Sequence, residues 1–289
     1  MSKPATRKKP LILVSHDYDP KAWDSLESGE TEFESWLSVT QDLWGLGCYG
    51  PGQEDMIRQG ANGVAIKKTK VIGAIGSTLG GVGAVAEEND AYIDVIDCDA
   101  EMIEHKPQGH RTAVGNKFLK LLTWNPQKPE LRADRYHGLI ASGALSLTAN
   151  LSDIAQVITE AVKPGGYLFI DELYATDPSV AALISQGLSR PGQKLHLRPQ
   201  ETVDKTLRSL FLDQRSNVPS AEPLMEAIRT GLTRGQEIAK ILRTIPSPFR
   251  KQRMTAFANE LQRAAVLYQA LGRGLITGAR SIYRQPGDI

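Results

Sequence analysis

The sequence predicts an α/β fold: a doubly wound, mostly parallel sheet with helices on both faces, an N-terminal helical segment before it and a C-terminal helical elaboration after it. Three observations carry this. Between Lys70 and Asp171 short apolar runs alternate with helical stretches, and strands separated by helices need crossover connections, which make them parallel. A glycine-rich turn, Gly76–Gly83, directly follows the first of these runs. The 289 residues are 41% hydrophobic and 23% charged, the balance of an ordinary globular chain rather than a disordered, collagen-like or coiled-coil one.

The elements follow in order. Met1–Pro10 reads as a basic tail. In Lys21–Leu46, Phe33, Trp36 and Leu37 fall at i, i+3 and i+4, one face of a helix. Gly47–Asp55 is a turn-rich break, and Glu54–Ala65 reads as a short helix. Val71–Ile75 is the first strand, followed by the glycine turn and a helix to about Glu88. Ala91–Ile96 is the second strand, closed by Asp97, Cys98 and Asp99, with a helix starting over Glu101–His105. Phe118–Trp124 is the third, ended by Asn125-Pro126, and Gly138–Ser142 the fourth. Leu151–Val162 is a helix that Asn150 or Ser152 can cap. Lys163–Gly166 forces a turn into a fifth strand, Tyr167–Asp171. Helices then follow over Asp177–Gly187, with Pro178 in its first turn, and over Glu201–Leu212, Ala221–Arg243 and Pro248–Leu271. Phe257, Leu261, Ala264, Ala265 and Tyr268 share one face of the last helix, and Leu275–Arg284 reads as a final strand. We divide the chain at 1–65, 66–175 and 176–289: an N-terminal tail and helical cap, a ligand-binding core, and a C-terminal helical region with the final strand.

No apolar run approaches the roughly 18 residues that cross a bilayer, nor the about 7–15 of a signal-peptide core, so a cytoplasmic protein is expected. Two cysteines, Cys48 and Cys98, exclude a disulfide framework and a cysteine-rich zinc site, and both read as small buried hydrophobes. The five histidines show no metal-ligand spacing, so no metal is expected. Residues 1–179 carry 17 Lys and Arg against 25 Asp and Glu, whereas residues 180–289 carry 17 against 8. A basic C-terminal third could face an anion or nucleic acid, but charge runs are usually solvated helix faces.

The chemistry sits in the unit of strand, glycine turn, helix, strand and acid. Glycines let a ligand approach where a Cβ would block it, and the next helix offers its free N–H groups. Asp97 stands 21 residues after Gly76, at the end of the second strand, where a carboxylate can accept both hydroxyls of a ribose. An adenosine ligand across the carboxyl ends of the strands fits this unit. Taken alone, the turn can be a packing device and Asp97 a helix cap.

Three stretches, VIGAIGSTLGG (Val71–Gly81), IDVIDCDAEMIE (Ile93–Glu104) and His137–Ala175, resemble the Rossmann-like, class I S-adenosylmethionine-dependent methyltransferases. The most specific part is the helix that ends in Val162-Lys163-Pro164-Gly165-Gly166 and runs into Tyr167–Ile170. The resemblance implies S-adenosyl-L-methionine as cofactor, S-adenosyl-L-homocysteine as product and a small-molecule acceptor. It implies that Gly76, Ser77 and Gly80 line the methionine moiety, Asp97 holds the ribose, Cys98 and Asn125 flank the adenine, and Ser142 and Gly143 close the cleft. Two positions depart from the family pattern. Ala74 stands where an acid usually helps to position the methionine ammonium group, and Thr78 replaces the middle glycine of the triplet.

Methyl transfer from a sulfonium needs alignment more than acid–base help, since the leaving group departs neutral, so no catalytic set is assigned. Candidates for the acceptor side are Trp44, Tyr49, Glu172 and Tyr174, with Asp171 and Tyr18 beside them. The two departures motivate an alternative, a non-catalytic binding or scaffold protein. A nicotinamide-dependent oxidoreductase fits less well, because the G-x-G-x-x-A string Gly81–Ala86 begins six residues after Ile75, where the helix should already run. No Walker lysine follows the glycines, no G-x-S-x-G elbow is present, and Ala141-Ser142-Gly143-Ala144 stands where amino-directed nucleic-acid methyltransferases carry N-P-P-Y. Nucleic acid is therefore not the expected partner, and oligomeric state is left open.

Overall fold

The computed structural model describes residues 31–45, 48–65, 70–76, 89, 91–98, 119–190, 193–210, 212–244 and 247–287. Sequence expectations for Met1–Pro10, Ser77–Glu88 and Glu101–His105 lie outside them, and with them Tyr18, Ser77, Thr78 and Gly80.

Helix α1 (Glu32–Trp44) starts at a reciprocal cap. Thr31 Oγ1 accepts from the Glu34 N–H at 3.1 Å, and the Thr31 N–H donates to Glu34 Oε2 at 2.7 Å. Helix α2 spans Gln53–Gly63. The strands β1 (Val71–Ile75), β2 (Tyr92–Asp97), β3 (Leu119–Thr123) and β4 (Tyr136–Ser142) follow. Helix α3 (Leu151–Ala161) is capped by Asn150, whose side chain accepts from the Asp153 N–H. It leads into β5 (Val162–Ala175). Helices α4 (Pro178–Leu188) and α5 (Gln200–Ser209), strand β6 (Asp213–Pro219), helices α6 (Ala221–Leu242) and α7 (Ser247–Gly272), and strand β7 (Ile276–Arg284) complete the elements of the described residues.

The seven strands form one sheet in the order β3-β2-β1-β4-β5-β7-β6. The pairs among β1 to β5 are parallel, and β7 runs antiparallel to both β5 and β6. The strand order reverses between β1 and β4, and in such a sheet that switch point opens a crevice at the carboxyl ends.

Both faces are buried. Ile72 and Ala74 enter one cluster with Leu37, Met56 and Ile57 of α1 and α2. Ile75 enters the opposite cluster with Ile154 and Ile158 of α3 and Leu207 of α5. A strand covered on both sides reads as a continuous apolar run, which is why β1 is plain in the sequence. Helices α1, α6 and α7 pack together through Val39, Leu43, Ile238, Leu242 and Phe257.

Two elements differ from expectation. Lys163–Gly166 does not separate two elements. It is a bulge inside β5, where pairing jumps from Tyr136↔Val162 to Gly138↔Tyr167. Strand β6 has no local signal in the sequence: DQRSNVP shows no apolar face because it is a largely exposed edge strand, paired among the described residues with β7 alone.

Candidate functional site

The site is built from the carboxyl ends of the parallel strands, which register brings level. Ile75 pairs with Ile96 and Ala141, Asp97 with Thr123, and Ser142 with Asp171. Backbone bonds tie the ends together. The Gly76 N–H donates to Ile96 O at 3.1 Å, Trp124 N–H to Asp97 O at 2.9 Å, and Gly143 N–H to Asp171 O at 2.9 Å. Gly76 has φ +97°, and a Cβ there would come within 2.1 Å of Ser142 O. Its smallness is thus demanded by the approach of β1 to β4. Gly143, at φ +63°, has no described residue within 4 Å of where a Cβ would stand.

Of the sequence-predicted residues, Gly76, Asp97, Cys98, Asn125, Ser142 and Gly143 all lie at this edge. Asp97 is 4% exposed. Strand alternation sets it on the face of Ile93 and Val95, toward α1 and α2. Asn125 holds a local turn by accepting from the Gln127 N–H at 3.0 Å. Ser142 Oγ donates to Asp171 Oδ2 at 3.4 Å.

A roof covers the edge from the α1–α2 face. Tyr49, fully buried, follows α1, and its ring centroid lies 6.1 Å from that of Trp36. The Tyr49 N–H donates to Gln53 Oε1 at 2.6 Å. From the connector after α4, Arg190 donates to Tyr49 O at 2.8 Å and stacks its guanidinium 4.5 Å over the Trp36 ring. Gln193 reaches Cys98 Sγ at 3.7 Å. Burial, with Cys48 and Asp97 nearby, pushes the Tyr49 phenol above its ordinary value, so the hydroxyl stays protonated. Burial likewise pushes the Cys48 thiol up to about 12, which makes it no nucleophile.

The acceptor-side candidates divide. Tyr49 joins the edge. Trp44 lines a neighbouring cavity of about 400 Å³ with Leu43, Asp55, Ala227, Gly231 and Arg280. The Trp44 indole N–H donates to Glu260 Oε1 at 2.8 Å. Glu172 and Tyr174 stand apart from both. Strand alternation points them to the other face of the sheet, where Tyr174 is 2% exposed in the core. Glu172 spends its carboxylate on the chain itself: Oε1 accepts from the Leu145 N–H at 2.7 Å and Oε2 from Ser146 Oγ at 2.8 Å. It thus fastens the segment that carries Gly143, and burial lifts its carboxyl to about 7.

Sequence reasoning missed the charged partners. Arg280, 5% exposed, bridges Asp171 at 3.1 Å and Asp55. Arg198 donates to the carbonyls of Leu145, His196 and Thr148. Arg190 closes the roof. Apart from the Arg198–His196 bond, these contacts join residues far apart in the chain, and no local pattern marks them. Among the described residues no group of three His, Cys, Asp or Glu could hold a metal ion, and no helix is long and apolar enough to cross a membrane.

The edge fits an adenosyl ligand: a buried carboxylate ends β2, no described residue stands within 4 Å of where a Gly143 Cβ would be, and the buried Tyr49 hydroxyl has no hydrogen-bond partner among the described residues.

No family model matches the chain, and no curated protein matches it. Solved structures do. Phosphoethanolamine N-methyltransferase 2 of Haemonchus contortus, in complex with phosphomonomethylethanolamine and S-adenosylhomocysteine, superposes with TM-score 0.73 at 13% identity over 89% of this chain. The chain spans 58% of that protein's length. The [4+2]-cyclase SpnF gives 0.61 at 13% identity over 81% of each chain. Geranyl diphosphate C-methyltransferase from Streptomyces coelicolor A3(2) gives 0.59 at 7% identity over 80% of this chain and 75% of its own. The chain therefore has the fold of the class I S-adenosylmethionine-dependent methyltransferases.

Proposed function

We propose that this protein is an S-adenosyl-L-methionine-dependent methyltransferase acting on a small-molecule acceptor. The observation that carries the reading is the meeting of Asp97 and Gly76 at the carboxyl ends of β2 and β1, beside the β1/β4 switch point and beneath a buried roof formed by Tyr49. Asp97 would hold the ribose hydroxyls, Cys98 and Asn125 would flank the base, and Gly76, Ser142 and Gly143 would bound the methionine end. The cofactor supplies an electrophilic methyl group on a sulfonium, whose departure needs no acid.

What the chain itself contributes is position and exclusion of water. Proximity of this kind is worth up to about 7–11 kcal/mol in favourable cases. Glu172 and Arg198 fix the segment after β4, so Gly143 meets a ligand on a rigid frame. Arg190 fixes the roof in the same way. The cavity beside Trp44 and Arg280 has the size of a small-molecule site, and we assign the acceptor to it.

One observation favours a second reading, binding without methyl transfer. Ala74, at the position where the pattern of the resembled family has an acid, is fully buried in an apolar cluster, and one protein of this fold is named for a cyclisation. Incubation with methyl-tritiated S-adenosyl-L-methionine and a panel of small amines, alcohols and carbanion precursors tests the choice. Label transfer that Asp97→Asn abolishes supports the enzyme. Tight binding of S-adenosyl-L-homocysteine with no transfer to any acceptor favours the second reading.

A further inference from the structure

Tyr49 and Ala74 belong to one buried cluster, with Ile72, Ile93 and Val95. Ala74 pairs across β1 and β2 with Val95, and Asp97 lies two residues further along the same face. Ala74 is fully buried, and the Tyr49 ring packs in the same cluster, with Asp97 near enough to help raise its phenol. Three contacts hold Tyr49 there: its N–H on Gln53, its carbonyl on Arg190 and its ring against Trp36. Its hydroxyl is the exception. It is buried and, like five other buried side-chain atoms, has no partner among the described residues. A purely structural position would be filled as well by phenylalanine, since an unpaired buried hydroxyl lowers stability.

We propose that the Tyr49 hydroxyl is the cofactor-binding group that takes over from the acid absent at Ala74, accepting a hydrogen bond from the ammonium group at the amino-acid end of the cofactor. The inference rests on the functional reading above and deepens it by naming the group that recognises this end. The phenol oxygen has lone pairs to accept an ammonium N–H, and its own proton remains available to the adjacent carboxylate of the same ligand. Because two backbone hydrogen bonds and the Trp36 ring already hold the residue in place, binding orders little further side chain at this point.

The test is Tyr49→Phe, read by calorimetric titration with two probes and by thermal melting of the ligand-free protein. S-adenosyl-L-homocysteine carries the amino-acid end, whereas 5′-methylthioadenosine keeps the adenosine and sulfur and lacks that end. The expected result is a 5- to 20-fold loss of affinity for S-adenosyl-L-homocysteine, no change for 5′-methylthioadenosine, and a melting temperature equal to or above that of the parent. Unchanged affinity for S-adenosyl-L-homocysteine overturns the assignment. So does an equal loss for both probes, which makes Tyr49 a wall, or a lowered melting temperature, which gives the hydroxyl a partner inside the chain. In those three outcomes the parent protein still binds and the functional reading stands. A parent that binds neither probe overturns that reading and this assignment together.

Discussion

Replacing Glu172 by glutamine isolates the effect of one buried charge. Burial raises the Glu172 carboxyl from 4.5 to about 7, although Ser146 and Leu145 donate to it and Arg198 lies near. The sign follows from which state holds the proton. Between pH 4.5 and 7 the folded chain keeps a proton that the unfolded chain releases, so stability falls as pH rises through that window. The full loss is reached above the folded value and amounts to about 3 kcal/mol, from 1.36 kcal/mol per pH unit. Glutamine has no proton to lose and keeps an oxygen to accept from the Leu145 N–H. Urea unfolding of both proteins at pH 5, 6, 7 and 8 measures the difference. Glu172→Gln should gain about 2.5 kcal/mol on the parent between pH 5 and pH 8, since part of the loss is already complete at pH 5. Asp42, lifted to about 7 by burial, titrates in both proteins and cancels. Parallel stability curves across this range would refute the reasoning and return Glu172 to an ordinary carboxylate.

Two further stability effects follow from contacts that cross the chain. Arg280→Met leaves the Asp171 carboxylate without its cation and should cost about 3 kcal/mol in urea unfolding at pH 8. The cost should be smaller at pH 5.5, because burial already raises the Asp171 carboxyl and the lone group would take up a proton. Gly231→Ala in α6 should destabilise by about 1–3 kcal/mol, against the usual gain of about 1 kcal/mol for glycine to alanine in a helix. Its Cβ would come within 2.1 Å of the Trp44 ring, and a shift of that ring should appear in tryptophan fluorescence.

How far the sequence reveals the molecule depends on how local the cause is. Strand β1 is legible because both its faces are buried, so VIGAI is apolar throughout. Asp97 is legible because chain distance from a glycine turn and the end of a strand are both local facts. Strand β6 is not: an edge strand exposed on both faces has no alternation to read. Arg280 is legible only as one basic residue among many, since its partners lie 109 and 225 residues away. The same holds for Arg190, 141 residues from Tyr49. Glu172 shows the limit from the other side. Its place after the site-forming part of β5 suggests contact with an acceptor, yet strand alternation turns it to the core face, where it secures a backbone segment.

The most direct measurement is a crystal structure of the protein grown with S-adenosyl-L-homocysteine. The account predicts density for the adenosine across the ends of β1 and β2, with both ribose hydroxyls on the Asp97 carboxylate. Side chains filling that crevice, or an Asp97 carboxylate turned away from the sugar, would contradict it.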